Sequence, residues 1–281
     1  MNKNLNIVFF GEDSFSDVIL NSLIDAGQQV ILVITPYYEN LIYKKLEHTC
    51  SEKQIRFERC KKINSEETCQ LVREGNPDLC VISHFERLIK KNLLEIPRLG
   101  FINLHPSLLP EYRGMSPQHW PIINGDKEAG ITIHYVDEGT DTGNIILQRK
   151  FPLQGNEYVK DLQKMWMREY KTIMVEAIDK ILNGDETIKQ SHLEGSYHGR
   201  LTEEDCQIDI NGTVQQAYNL VRGVSMPYHG AQIGGIIVWK AHIIDNPGIQ
   251  KLSIGVHMDS PIGNVIQFKD GILFIDKYKQ L

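Results

Sequence analysis

Apolar positions along this chain come in two rhythms, short unbroken runs and longer stretches at helical spacing, and the two alternate. Leu5 to Phe10 is an apolar run closed by Gly11, Phe15 to Ala26 carries apolar residues at roughly helical spacing before Gly27, and Val30 to Ile34 is apolar again. A strand, a helix and a second strand in that order make a parallel unit. The alternation continues with a helix from Tyr38 to Glu52, a short strand from Arg56 to Arg59, a helix from Ser65 to Glu74 broken by Asn76-Pro77, and a buried strand from Asp78 to Ser83. Leu99 to His105, Ile131 to Val136 and Ile145 to Phe151 read as further strands, the last two as a hairpin across a turn-rich acidic loop. His119, Trp120, Ile122 and Ile123 fit a short buried helix ending at Asn124-Gly125. Val159, Leu162, Trp166, Ile173, Ala177, Ile178, Ile181 and Leu182 trace one face of a single long helix that Asn183-Gly184 terminates.

The rhythm fails near Ser191. Ser191 to Arg200 has few apolar residues and reads as a linker. Beyond it, Val214, Ala217, Tyr218 and Val221 predict a helix, and Gln232 to Ile244, Gly263 to Phe268 and Ile272 to Ile275 predict strands separated by glycine and proline turns. The expected organisation is a first domain over residues 1–190 and a small α+β, barrel-like appendage over residues 200–281. Exposed strands in that appendage could pair two subunits as a homodimer.

Composition narrows the class. The chain has 281 residues, 41% hydrophobic and 23% charged, which is ordinary for a globular enzyme. Its formal charge of -6 offers no general attraction to nucleic acid or to an anionic membrane, and both are disfavoured as partners. The opening MNKNLNIVFFGEDS passes straight into a strand and turn without a cationic leader, and no window approaches a membrane span, so the expected location is cytoplasmic. The five cysteines show no C-x-x-C spacing and read as reduced structural thiols. None of the ten histidines forms an i, i+4 pair, so no metal is expected. The first turn, Gly11-Glu-Asp-Ser-Phe, has one glycine and lacks G-x-G-x-x-G, which disfavours a nicotinamide or flavin cofactor.

Candidate chemistry gathers between Gly100 and Gly143. Asn103 and His105 are two apart on a strand and share a face, and Pro106 ends the ladder so that the imidazole stands at a strand terminus. The strand Ile131 to Val136 runs into Asp137-Glu-Gly-Thr-Asp141-Thr-Gly143, so Asp141 can fold back towards His105. A carboxylate beside an imidazole raises its pKa and orients it, and an amide next to both can donate to a developing oxyanion. The trio suits acyl transfer to an amine. His134, alternating with Ile133 and Tyr135, reads as a satisfied structural histidine.

Asn103-Leu-His105-Pro-Ser-Leu-Leu-Pro110, followed by Arg113-Gly114 and Asp141-Thr-Gly143, resembles the signature of the formyltransferases that use 10-formyltetrahydrofolate. The resemblance implies an α/β fold, with a Rossmann-like, mostly parallel catalytic sheet and the small carboxyl-terminal subdomain. It also implies 10-formyltetrahydrofolate as co-substrate, and Asn103, His105 and Asp141 as the catalytic trio. By the same resemblance Ser83, Phe85, Asp137 and Gly139 lie against the pterin. On the loop after the trio's histidine, Tyr112 and Arg113 can meet a substrate phosphate or sugar and Gly114 allows a tight backbone approach. The resemblance of the Leu220 to Ala231 segment implies that Arg222 and Tyr228 lie beside the amine substrate, the arginine for a phosphate and the tyrosine for stacking.

Within that family the acceptor is the open question. Gly11-Glu-Asp-Ser-Phe departs from the glycine-rich phosphate loop of the enzymes acting on glycinamide ribonucleotide. Thr35 to Lys45, with Glu39 and three tyrosines, stands where those acting on initiator methionyl-tRNA carry a basic insertion. The branch expected is therefore the one resembling sugar N-formyltransferases, whose partner is a small-molecule nucleotide sugar and whose setting is bacterial surface polysaccharide synthesis. Methionyl-tRNA formylation and a non-catalytic folate or nucleotide binding module are the alternatives.

Overall fold

The computed structural model describes residues 4–39, 44–191, 194–244 and 252–281. Its first part is the predicted alternation: β1 (Asn6–Gly11), α1 (Ser14–Asp25), β2 (Gln29–Pro36), α2 (Lys45–Lys53), β3 (Arg56–Cys60), α3 (Glu66–Glu74), β4 (Leu79–Ser83), the short α4 (Lys91–Leu94) and β5 (Phe101–His105). The apolar runs become strands because layers on the sheet bury them. Val8, Phe10, Leu32, Ile34, Cys80 and Ile82 share one core cluster with Val72 of α3 and Leu93 of α4. Asp13 starts α1 by accepting from the Phe15 and Ser16 amides, and Ser65 caps α3. The helix expected from Tyr38 begins at Lys45, and residues 40–43 of that prediction lie outside the described residues.

Next come β6 (Arg113–Gly114), α5 (Trp120–Ile123), β7 (Glu128–Tyr135) and β8 (Ile145–Pro152). The large sheet has the order β3-β2-β1-β4-β5-β7-β8. Its first five strands run parallel, and β7 is antiparallel to β5. Strand order reverses between β1 and β4, the kind of point at which open α/β sheets gather ligands beyond their carboxyl ends.

The single long helix of the sequence reading is two, α6 (Val159–Glu169) and α7 (Ile173–Asn183). Arg149 explains the break. Its guanidinium binds Glu169 at the end of α6, the Thr172 hydroxyl in the gap and Glu176 in the first turn of α7. The apolar stripe runs on across the interruption, which is why periodicity alone did not show it.

The remaining elements are β9 (Tyr197–His198), α8 (Val214–Gly223), β10 (Ala231–Ile233), β11 (Ile236–Ile244), β12 (Gly255–Ser260), β13 (Gly263–Gln267) and β14 (Ile272–Gln280). The last five form an antiparallel sheet, β10-β11-β14-β13-β12, and Val221 and Leu220 of α8 share a core with Val238, Ile266 and Leu273. The one strand expected from Gln232 to Ile244 is a hairpin. Gly234 and Gly235 both take positive φ, as a two-residue turn between antiparallel strands requires.

By internal packing the described chain forms two compact units that interleave along the sequence. One holds residues 1–113, 130–149 and 166–197, the other residues 114–129, 150–165 and 198–281. The linker expected over Ser191 to Arg200 includes His192 and Leu193, which lie outside the described residues. Among the described residues no helix is long and apolar enough to cross a membrane. The five cysteines are free, and burial pushes the thiols of Cys50 and Cys206 up to about 12 and about 11.

Candidate active site

Asn103, His105 and Asp141 meet in the first unit. β5 ends at His105, and the antiparallel register sets Asn103 directly opposite His134 on β7. Asp141 comes from the loop between β7 and β8, at a φ of 55 that an aspartate tolerates better than most residues. Two features hold that loop. Asp137 accepts from the Gly139 amide and the Thr142 hydroxyl, and Gln190 donates to the carbonyls of Asp141, at 2.9 Å, and Gly143, at 2.6 Å. Gly143 is required there, since a Cβ would stand 1.8 Å from the Tyr135 carbonyl oxygen.

The hydrogen bonds fix both ring tautomers. His105 Nε2 lies 2.7 Å from the Tyr112 carbonyl oxygen, which can only accept, so the neutral ring carries its proton on Nε2. Nδ1 then presents a lone pair, 3.6 Å from Asp141 Oδ2. His134 is arranged the other way round. Its Nδ1 donates to the Tyr135 carbonyl at 2.7 Å, leaving Nε2 to accept from Asn103 Nδ2 at 3.2 Å. That bond sets which end of the Asn103 amide faces the site. The second Asn103 N–H has only a long contact, 3.5 Å to Asp141 Oδ1, and is available to a substrate oxygen.

Burial governs the histidine. The sequence suggested that Asp141 raises the imidazole pKa; in the fold His105 is only 4% exposed, and desolvation carries its pKa below 6.5 although Asp141 opposes the shift. The ring is therefore neutral near pH 7, with Nδ1 free to accept a proton. Once protonated, it is held by the Asp141 carboxylate on one side and the Tyr112 carbonyl on the other. Asp141, 15% exposed at its side chain, keeps access to solvent.

The other predicted residues are dispersed. Ser83 ends β4 fully buried, and its hydroxyl has no hydrogen-bond partner, an orphaned polar atom beside the strand that carries Asn103 and His105. Phe85 packs edge-on to Phe10 at 5.5 Å, as a core residue does. Tyr112, buried with a φ of 60, presents its carbonyl to His105, and Gly114 takes a φ of 93. Arg113 is buried, its guanidinium bound to Gln190 Oε1 and to the Ser191 and Glu194 carbonyls. It thereby steadies the same Gln190 that holds the Asp141 loop.

In the second unit Arg222 is 2% exposed and donates to the Glu157 carbonyl and to Asn219, with its guanidinium over the Tyr218 ring. Tyr228 accepts from Gln163 and lies edge-on to His119. Both arginines are thus engaged by the chain's own acceptors. The sequence reading missed Gln190, which no local pattern marks, and the pairing of Asn103 with His134, which a cross-strand alignment of β5 and β7 would have exposed.

Models of two families match the chain: formyl transferase over residues 5–178, and the formyl transferase carboxyl-terminal domain over residues 200–280. The methionyl-tRNA formyltransferase of Ruminiclostridium cellulolyticum is 33% identical over 96% of this chain and 90% of its own length. That of Clostridioides difficile is 31% identical over 97% and 91%. Among solved structures, WlaRD, a sugar 3N-formyl transferase crystallised with dTDP and 5-N-formyl-THF, superposes with a TM-score of 0.74 at 23% identity, covering 99% of this chain and 98% of its own. The N-formyltransferase of Helicobacter canadensis, in complex with folinic acid and dTDP-3-aminofucose, gives 0.72 at 22%, covering 98% and 100%.

Proposed function

The chain belongs to the formyl transferase family, and from that premise we propose that it moves a formyl group from 10-formyltetrahydrofolate to the amino group of a nucleotide-linked amino-deoxysugar. The observation that carries the chemistry is the Nδ1 lone pair of a neutral, buried His105 beside Asp141 and an oriented Asn103 amide. The residues fit the folate: a donor for a carbonyl oxygen, a proton acceptor beside it, and the unpartnered Ser83 hydroxyl at the neighbouring strand end. When bound, the folate supplies an electrophilic formyl carbon. Asn103 donates to the carbonyl oxygen as negative charge develops on it, and His105 Nδ1 takes the proton that the attacking amine loses. Asp141 would hold the resulting imidazolium, which would return the proton to the folate nitrogen as that nitrogen's bond to the formyl carbon breaks.

The edge of the sheet is what supports this acceptor. The loop after β2 presents Tyr37, Tyr38 and Glu39, without the run of lysines and arginines that phosphate contacts to a tRNA acceptor arm need, and the chain as a whole is acidic. The solved sugar N-formyltransferases supply the fold precedent. Methionyl-tRNA is the second reading, favoured by the 33% identity to a methionyl-tRNA formyltransferase along nearly the whole chain.

The test is a mass-spectrometric endpoint assay with 10-formyltetrahydrofolate and a panel of dTDP-, UDP- and GDP-linked aminosugars, alongside methionyl-tRNA. A formyl-mass gain on one sugar is the expected result. Gain on the tRNA alone would keep the trio and replace the acceptor, and gain on neither would point to a binding module.

A further inference from the structure

Outside the catalytic trio, the carboxyl edge of the large sheet carries a second constellation. Tyr37 and Tyr38, leaving β2, are 44% and 37% exposed. Each has a cation over its ring: Lys61, from the loop after β3, lies 5.0 Å from the Tyr37 centroid, and Arg87, from the loop after β4, lies 5.3 Å from that of Tyr38. Glu12, from the loop after β1, accepts from the Tyr38 hydroxyl at 2.6 Å and from the Glu86 amide at 2.6 Å. Tyr37 is pinned by its own amide, which donates to the Cys60 carbonyl at 2.9 Å. Loops from four adjacent strand ends thus converge to hold two aromatic rings in place while leaving them open to solvent.

Each residue keeps more than a third of its surface exposed while its loop is pinned, so packing alone does not account for the arrangement. Both cations are exposed, and among the described residues neither has a carboxylate at ion-pair distance; Arg87 Nη1 donates to the Glu86 carbonyl at 3.1 Å and feels the Glu12 charge, which leaves its other N–H groups to a ligand. Two presented π-faces flanked by two cations are complementary to a flat base carrying an anionic tail. We propose that Tyr37 and Tyr38 form a stacking platform for the base of the acceptor's nucleoside diphosphate, with Lys61 and Arg87 receiving its phosphates. The inference rests on the nucleotide-sugar reading and names the part of the protein that would recognise the nucleotide.

Topology supplies the reach. β2 and β5 are separated by β1 and β4, three interstrand steps, so the platform and His105 stand about 14 Å apart along the sheet edge. An extended nucleoside diphosphate sugar covers such a span and a bare aminosugar does not. The Tyr38 phenol is pushed up to about 12, chiefly by burial and then by Glu12, so its hydroxyl stays a donor and the pin holds at neutral pH.

Calorimetric titration of the full chain with dTDP, UDP and GDP tests the platform, with 5-formyltetrahydrofolate titrated as a control for the folded trio. At least one nucleoside diphosphate should bind, and Tyr38→Ala and Tyr37→Ala should each weaken it about tenfold or more, with folate affinity unchanged. Lys61→Ala and Arg87→Ala, at exposed side chains that carry no core packing, should weaken it several-fold, by an amount that shrinks as salt rises. If the wild type binds a nucleoside diphosphate and all four variants bind it equally well, the platform is wrong and the nucleotide-sugar reading stands. If the wild type binds none while formylating methionyl-tRNA, the nucleotide-sugar reading fails and the platform falls with it.

Discussion

His105 in the first unit and His119 in the second begin in nearly the same setting. Each is buried, each donates one ring nitrogen to a backbone carbonyl at 2.7 Å, of Tyr112 or of Gly223, and burial lowers the pKa of each. They differ in what surrounds the rest of the ring. His105 faces the half-buried Asp141 carboxylate and, beyond it, the Asn103 amide; His119 meets the edge of Tyr228 at 4.4 Å, with no carboxylate at ion-pair distance among the described residues. A buried imidazole becomes a proton acceptor only when something waits to hold the charge it would take up. Without that partner it is a neutral packing group.

Substitution should separate the two sharply. His105→Gln is expected to lower kcat by about 10²–10⁴-fold, the range for losing a positioned general base, whereas His119→Asn puts an amide Nδ2 donor near the place of Nδ1 and should leave kcat unchanged. Steady-state kinetics checks both, and equal losses would erase the distinction. Asn103→Ala should cost about 10²–10³-fold in kcat, as for other donors to a developing oxyanion. Asp141→Asn should lower turnover strongly and folate binding less, and wild-type turnover in that variant would remove the charged role.

On the stability side, Arg222→Leu leaves the Glu157 carbonyl without its guanidinium donor and Asn219 Oδ1 with Gln215 alone, and a loss of about 1–3 kcal/mol by urea unfolding is expected, with folate affinity kept. The His119 pKa of about 4 lies below the free value of 6.5, so the unfolded chain binds the proton first as pH falls. Its contribution is therefore complete above about pH 6.5, is lost progressively towards pH 4, and amounts to roughly 3 kcal/mol. Urea midpoints should drop across that window less steeply in His119→Asn than in the wild type. For the same reason the acid limb of kcat/KM that belongs to His105 should lie below 6.5.

Much of this contrast was readable before any coordinates. The period of two placed Asn103 and His105 on one face, and the proline and acidic turn put His105 and Asp141 at a strand end. Burial was not readable, so the sequence reversed the direction of the His105 shift. Arg113 looked like a free cation because its acceptors lie far along the chain, at Gln190 and beyond, and Arg222 because one of its two, the Glu157 carbonyl, does; the other, Asn219, is three residues away. The break between α6 and α7 was hidden for a similar reason, since Arg149 acts across it from another element. Gly234-Gly235 was a local hairpin signal, and the continuous apolar pattern on either side masked it.

The most direct test is nitrogen-15 NMR of the histidine rings at about pH 7, with resonances assigned through His105→Gln and His134→Gln. The expected result is a neutral His105 protonated on Nε2, and a proton on Nδ1 of His134. A His105 ring protonated on Nδ1, or doubly protonated at that pH, would deny the trio its proton acceptor and contradict the mechanism.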